Sequence, residues 1–146
     1  MPTYTISAPA GRLTSAQKSQ LAREVTRAHQ QQTGAQTFFA QVMFVDVPVS
    51  NWFVGGSPID EQQIFIHGQV RSGRSPEVKR ALLVQLVDIV AAVSAFPRNK
   101  VWGYLVELPP SHMVEYGHVL PEPGGEAEWL AAMPPEDHAL MLAIGR

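Results

Sequence analysis

The chain has 146 residues, 45% apolar and 16% charged, with a formal charge of −2 and no cysteine. This composition predicts a globular chain with a substantial core, organised as one domain over residues 1–146. The missing basic footprint argues against nucleic acid as a partner, and the missing cysteine excludes disulfides, thiolate nucleophiles and sulfur-ligated metals.

The opening Met-Pro-Thr-Tyr-Thr-Ile lacks the basic region and apolar run of a secretory signal. Together with the absence of cysteine this leads us to expect a cytoplasmic protein. A first strand is predicted from Thr3 to Ser7. Thr14 is a suitable N-cap for a helix in which Leu21, Val25 and Ala28 recur at helical spacing. That helix is expected to end at Thr33-Gly34. A strand over Phe38 to Val45 follows, and residues 46–61, with two prolines and two glycines, read as a loop or short ribbon.

The pattern then repeats. Ile64 to Val70 reads as a strand. Ser75, Pro76 and Glu77 form a helix start, and a broad apolar face from Leu82 to Val93 carries that helix to about Phe96. Its most apolar stretch is interrupted by Gln85 and Asp88 and is too short to span a membrane. Lys100 to Leu108 is the next strand. The fold class expected is α+β: two β-α-β halves, about 1–50 and 62–108, join in a four-stranded mixed sheet with two helices on one face. The other sheet face would stay apolar, and self-association is the simplest way to bury it. Residues 109–146 form a tail rich in proline, glycine and acids. It is expected to carry a short helix near Glu136 to Ala143 and to be able to wrap a neighbouring copy.

Several residues could carry chemistry. Removal of Met1 would expose the secondary amine of Pro2. Such an amine titrates near neutrality and can serve as acid or base. Arg71 and Arg74 flank Gly73 where a strand gives way to a helix start, an arrangement suited to a planar carboxylate, although solvated turn arginines would look the same. His29 shares a helix stripe with Ala22 and Val25, as a core histidine or a pocket residue. Tyr104 follows Trp102 on one strand face. Glu115 lies within an apolar run, where a carboxylate resists ionisation unless paired. The five histidines show no metal-ligand spacing.

The ordered set of these segments resembles the cis-3-chloroacrylic acid dehalogenase family of the tautomerase superfamily, from Pro2 to about Trp129. It includes Arg12-Leu13-Thr14, Ala28-His29, Ala40-Gln41-Val42, Arg71-Ser72-Gly73-Arg74-Ser75, Val101-Trp102-Gly103-Tyr104, Met113-Val114-Glu115-Tyr116-Gly117 and Leu120-Pro121-Glu122-Pro123-Gly124. The resemblance implies that Pro2 donates a proton to the substrate α-carbon, and that Arg71, Arg74 and His29 bind a small carboxylate substrate. It implies that Glu115 and Tyr104 activate water. It also implies a homotrimer with no metal or organic cofactor, while the charge and the short apolar stretches already argue against a nucleic-acid or membrane partner. The chain departs from the family pattern at Ala35 and Phe39, where the family carries threonine and leucine, which implies a reshaped pocket. The expected activity is hydration or dehalogenation of small unsaturated acids such as propiolate and cis-3-haloacrylates. The alternatives are keto-enol tautomerisation of 2-oxo acids such as phenylpyruvate, or a non-catalytic trimeric binding protein.

Overall fold

The computed structural model describes residues 2–144. Strand β1 (Thr3–Pro9) buries Tyr4, Ile6 and Ala8 and turns the residues between them to the opposite face. Helix α1 (Ser15–Thr33) opens with a capping box. The Thr14 side chain accepts from the Gln17 backbone N–H, and the Gln17 side chain accepts from the Thr14 N–H. It closes on Gly34 in the left-handed region, whose N–H bonds to the Gln30 carbonyl.

Strand β2 (Gln41–Val47) begins three residues later than the sequence pattern predicts. Thr37–Phe39 instead form a 3₁₀ turn, and Phe38 and Phe39 are buried in a second apolar cluster rather than paired in the sheet. The connector holds a small ribbon of β3 (Phe53–Val54) and β4 (Ser57–Pro58). Strand β5 (Ile64–Arg71) and helix α2 (Pro76–Ser94) follow, with Ser75 accepting from the Val78 N–H as N-cap. The helix ends at Ser94, two residues before Phe96, and is capped by Ala95 in the left-handed region. Strand β6 (Val101–Leu108) completes the sheet.

The strand order is β2-β1-β5-β6. The β1–β2 and β5–β6 pairs are parallel, and β1 pairs antiparallel with β5. This is the mixed sheet of two β-α-β halves expected above. Leu21 and Val25 of α1 and Leu82, Leu86 and Val90 of α2 pack with Tyr4, Ile6, Ile64 and Ile66 in one core. Full burial of each such aliphatic side chain is worth about 1.5–3 kcal/mol. Gln17 also donates to the Val93 carbonyl, tying α1 to α2. No helix among the described residues is long and apolar enough to cross a membrane.

The opposite sheet face is uncovered. Met43, Val45, Trp102, Tyr104 and Val106 lie there as exposed large apolar side chains. The tail packs on its own chain. A ribbon of β7 (Val114–Glu115) and β8 (His118–Val119) precedes α3 (Glu126–Ala131) and α4 (Pro135–Ala143). Leu120, Met133 and Met141 join Phe38 and Phe39 in the second cluster. Of these helices the sequence pattern anticipates α4 and misses α3, which is only six residues long.

Candidate functional site

Antiparallel pairing sets Thr3 opposite Gln69, so one step further along the register Pro2 stands opposite Val70, beside Arg71. The amino end of β1 and the carboxyl end of β5, the two central strands, thus meet at one end of the sheet. Pro2 is fully buried, and its carbonyl accepts from the Gln41 N–H at 3.0 Å.

His29, Arg71 and Arg74 line one small cavity with Thr33, Val70 and Lys79. Three residues more than forty positions apart at their extremes are therefore brought together by α1 packing over the end of β5. His29 is buried, and its Nδ1 lies 2.8 Å from the Tyr4 hydroxyl. Burial above all, then the cationic chain terminus and the Arg74 guanidinium, push its pKa down to about 3. His29 is accordingly a neutral hydrogen-bonding group at physiological pH. Burial pushes the Tyr4 hydroxyl upward, so it too stays neutral. Tyr4 is a site residue that the sequence pattern assigns only to the core.

Arg71 is buried and held on two sides. One Nη donates to the Pro121 carbonyl at 2.7 Å, and the other pairs with Glu126. Its Nε is buried without a hydrogen-bond partner. Arg74 is half-buried and makes no side-chain hydrogen bond or ion pair with a described residue. Burial lowers its pKa first and the Arg71 charge second, while Glu126 opposes both. A cavity of about 320 Å³ opens beside the pair, walled by Thr33, Ala35, Phe39, Arg71, Arg74 and Glu126. Ala35 and Phe39, the two positions singled out in the sequence, both face this space.

Glu115 lines a neighbouring cavity of about 640 Å³ with Thr3, Phe39, Gln41, His112 and Tyr116. Phe39 is common to both cavities. The ribbon carrying Glu115 is pinned by Tyr116, whose hydroxyl donates to the Phe38 carbonyl. Tyr116 adopts a positive φ of 53°, a conformation disfavoured outside glycine and kept here by that bond and by packing. Burial first, then the Glu115 charge, raise the Tyr116 hydroxyl above its ordinary pKa.

Tyr104 stands apart. It is 55% exposed on the uncovered sheet face, edge-on to Phe65, in a shallow pocket with Ser7, Trp52 and Trp102. By strand alternation Pro2 shares the helix-covered face with Tyr4, so a single chain does not join Tyr104 to the others. His67 stacks on Phe65 on the same uncovered face, and His118 lies 2.8 Å from Asp137 in the tail. No group of three or more His, Asp or Glu side chains among the described residues could hold a metal ion.

Residues 1–133 match a family described as "Putative oxalocrotonate tautomerase enzyme". Among solved structures the chain is similar to N1, a member of the cis-3-chloroacrylic acid dehalogenase family. The two share 34% identity with a TM-score of 0.93, covering 97% of this chain and 99% of that one. It is also similar to a wild-type fused 4-OT solved as an asymmetric trimer, at 23% identity and a TM-score of 0.74, covering 80% and 94% of the two chains. Macrophage migration inhibitory factor from Toxoplasma gondii matches at 20% identity and a TM-score of 0.63, over 77% and 95%. The last two likenesses concern the fold alone. No curated protein matches the chain.

Proposed function

The chain belongs to the cis-3-chloroacrylic acid dehalogenase family of the tautomerase superfamily, and we propose that it hydrates small unsaturated carboxylic acids with its amino-terminal proline. The observation that carries this reading is the convergence of His29, Arg71 and Arg74 on one cavity at the end of the sheet where Pro2 is buried.

The substrate carboxylate is held by Arg74, with Arg71 behind it and neutral His29 as a hydrogen-bonding group. Neutralising that carboxylate lets the adjacent C–C multiple bond accept negative charge as water attacks. Glu115 takes the proton from water, whose oxygen bonds to the β-carbon. The protonated Pro2 amine delivers a proton to the α-carbon. A chlorinated substrate would give a chlorohydrin that loses HCl to yield malonate semialdehyde.

In this reading Tyr104 joins Glu115 from a neighbouring copy, and the assembly is a homotrimer. Support comes from the uncovered apolar sheet face that carries Tyr104. The same pocket holds Gln63, whose buried Nε2 has no hydrogen-bond partner. Keto-enol tautomerisation, with Pro2 neutral and acting as base, is the second reading. It is favoured by the tautomerase description of the matched family.

The test is intact mass of the purified chain, followed by turnover of propiolate, cis-3-chloroacrylate and phenylenolpyruvate. A mass lacking Met1, with turnover of at least one acid lost in Pro2→Ala, is the expected result. Undiminished turnover in Pro2→Ala would sink the proposal. Glu115→Gln is expected to abolish hydration and spare tautomerisation. Equal loss of both would remove Glu115 from the water-activating role.

A further inference from the structure

The Arg71 guanidinium, buried beside the substrate cavity, is already matched to a carboxylate of its own chain. Glu126 stands in the first turn of α3 and places one oxygen against the Arg71 Nη. Its other oxygen accepts from the Gly124 N–H at 2.9 Å. The Pro121 carbonyl accepts from the second Arg71 Nη. Gly73 has a φ of 109°, and a Cβ there would meet the Pro123 ring at 2.6 Å. Residues 121–126 are therefore seated closely on the Arg71–Arg74 turn. Burial pushes the Glu126 carboxyl up, but the Arg71 hydrogen bond, the two backbone N–H groups and the Arg71 charge together bring it below its usual range.

The charges around this cavity can be counted among the described residues. Arg71 is matched by Glu126. Lys79, on the wall of the smaller adjoining cavity, is matched by Glu107 at 2.7 Å. His29 is neutral. Arg74 makes no ion pair with a described residue: the Glu126 charge acts on it, but the Glu126 carboxylate is in contact with Arg71. Both Arg74 and the Glu126 carboxylate face the same space of about 320 Å³.

We infer that Glu126 is a specificity-determining residue, which neutralises Arg71 and so tunes the pocket to substrates with one carboxylate rather than two. A first carboxylate pairs with Arg74. A second would meet Glu126, an anion already occupying the only other guanidinium of the cavity, and like charges in a partly desolvated site repel. This rests on the carboxylate-binding reading of the site given above.

The experiment measures competitive inhibition constants of propiolate and acetylenedicarboxylate, a matched pair differing by one carboxylate. It uses the purified full-length chain with phenylenolpyruvate as reporter, and isothermal titration alongside. The wild-type chain is expected to prefer the monocarboxylate. Glu126→Gln keeps the shape and frees the Arg71 charge, and should move the preference toward the dicarboxylate by about tenfold or more. Glu126→Asp should keep the wild-type preference. The double variant Arg71→Gln/Glu126→Gln buries no unmatched charge, and should also keep it because Arg74 alone remains.

An unchanged ratio in folded Glu126→Gln would overturn the inference while leaving the parent reading intact. So would a shift toward the dicarboxylate in the double variant, which stays informative if the single variant unfolds. Binding of neither anion to the wild-type chain would overturn the carboxylate-binding reading, and this inference with it.

Discussion

His29 illustrates how one buried group links chemistry to stability. Its pKa is depressed from 6.5 in a solvated chain to about 3 in the fold. Between those values the unfolded chain binds a proton that the folded chain refuses. The native state therefore loses stability as pH falls below about 6.5, with a slope approaching ~1.4 kcal/mol per pH unit. Above 6.5 both states are neutral and the contribution is constant. Urea denaturation of the wild-type chain and His29→Gln at pH values from 7 down to 4.5 should show the slope reduced in the variant; parallel curves would contradict a depressed His29. Carboxylates titrate toward the acid end of this window in both chains, so the difference between the two curves isolates His29. Tyr4→Phe tests the same pair from the other side. It leaves the His29 Nδ1 buried without its 2.8 Å partner, at an expected cost of about 1–3 kcal/mol in equilibrium unfolding. A change within measurement error would mean that water or another group replaces the hydroxyl.

Among the elements, β5 and the Thr37–Phe39 turn do most to shape the site. Gly68 lies mid-strand, where a Cβ would come within 2.6 Å of both the Tyr4 ring and the Leu105 side chain. Those rings and methyls fill the space between sheet and helices, so Tyr4 reaches His29 only because residue 68 has no side chain. Gly68→Ala should destabilise the chain by about 1–3 kcal/mol through overpacking. It should also weaken carboxylate binding, because Tyr4 must move. Differential scanning calorimetry and propiolate titration would read the two effects, and an unaltered melting temperature would refute the crowding argument. The early end of the helix at Ser94 and the late start of β2 have separate causes. Ser94 bonds to the Val90 carbonyl and accepts from the Phe96 N–H, closing the last turn. Phe38 and Phe39 are drawn out of the sheet by the tail cluster. Phe38 is in phase with Val42 and Phe44, and a buried turn and a buried strand leave the same apolar signature.

In the assembled sheet one face carries the two helices and the other has no covering layer among the described residues. Exposed apolar side chains stand on both outer strands of that face, Met43 and Val45 on β2 and Trp102, Tyr104 and Val106 on β6. Val45→Lys or Val106→Lys should convert the proposed trimer to monomer in sedimentation velocity and abolish concentration dependence of the melting temperature. Persistence of a trimer in both variants would place the interface elsewhere. Legible in the sequence were both β-α-β halves, their caps at Thr14 and Ser75, and an apolar sheet face left for another copy. These follow from residue periodicity and from cap chemistry, which act over a few neighbouring positions. The candidate residues Pro2, His29, Arg71, Arg74, Glu115 and Tyr104 were named through the resemblance, and their roles remain proposals. Their grouping was not legible. The antiparallel β1–β5 register brings Pro2 to Arg71, and α1 lays His29 over the same end of the sheet. Tyr104 is turned to the opposite face, and a six-residue helix sets Glu126 on Arg71. Each of these depends on contacts between residues tens of positions apart. No local pattern encodes such contacts, because they exist only once the sheet has paired and the tail has packed upon it.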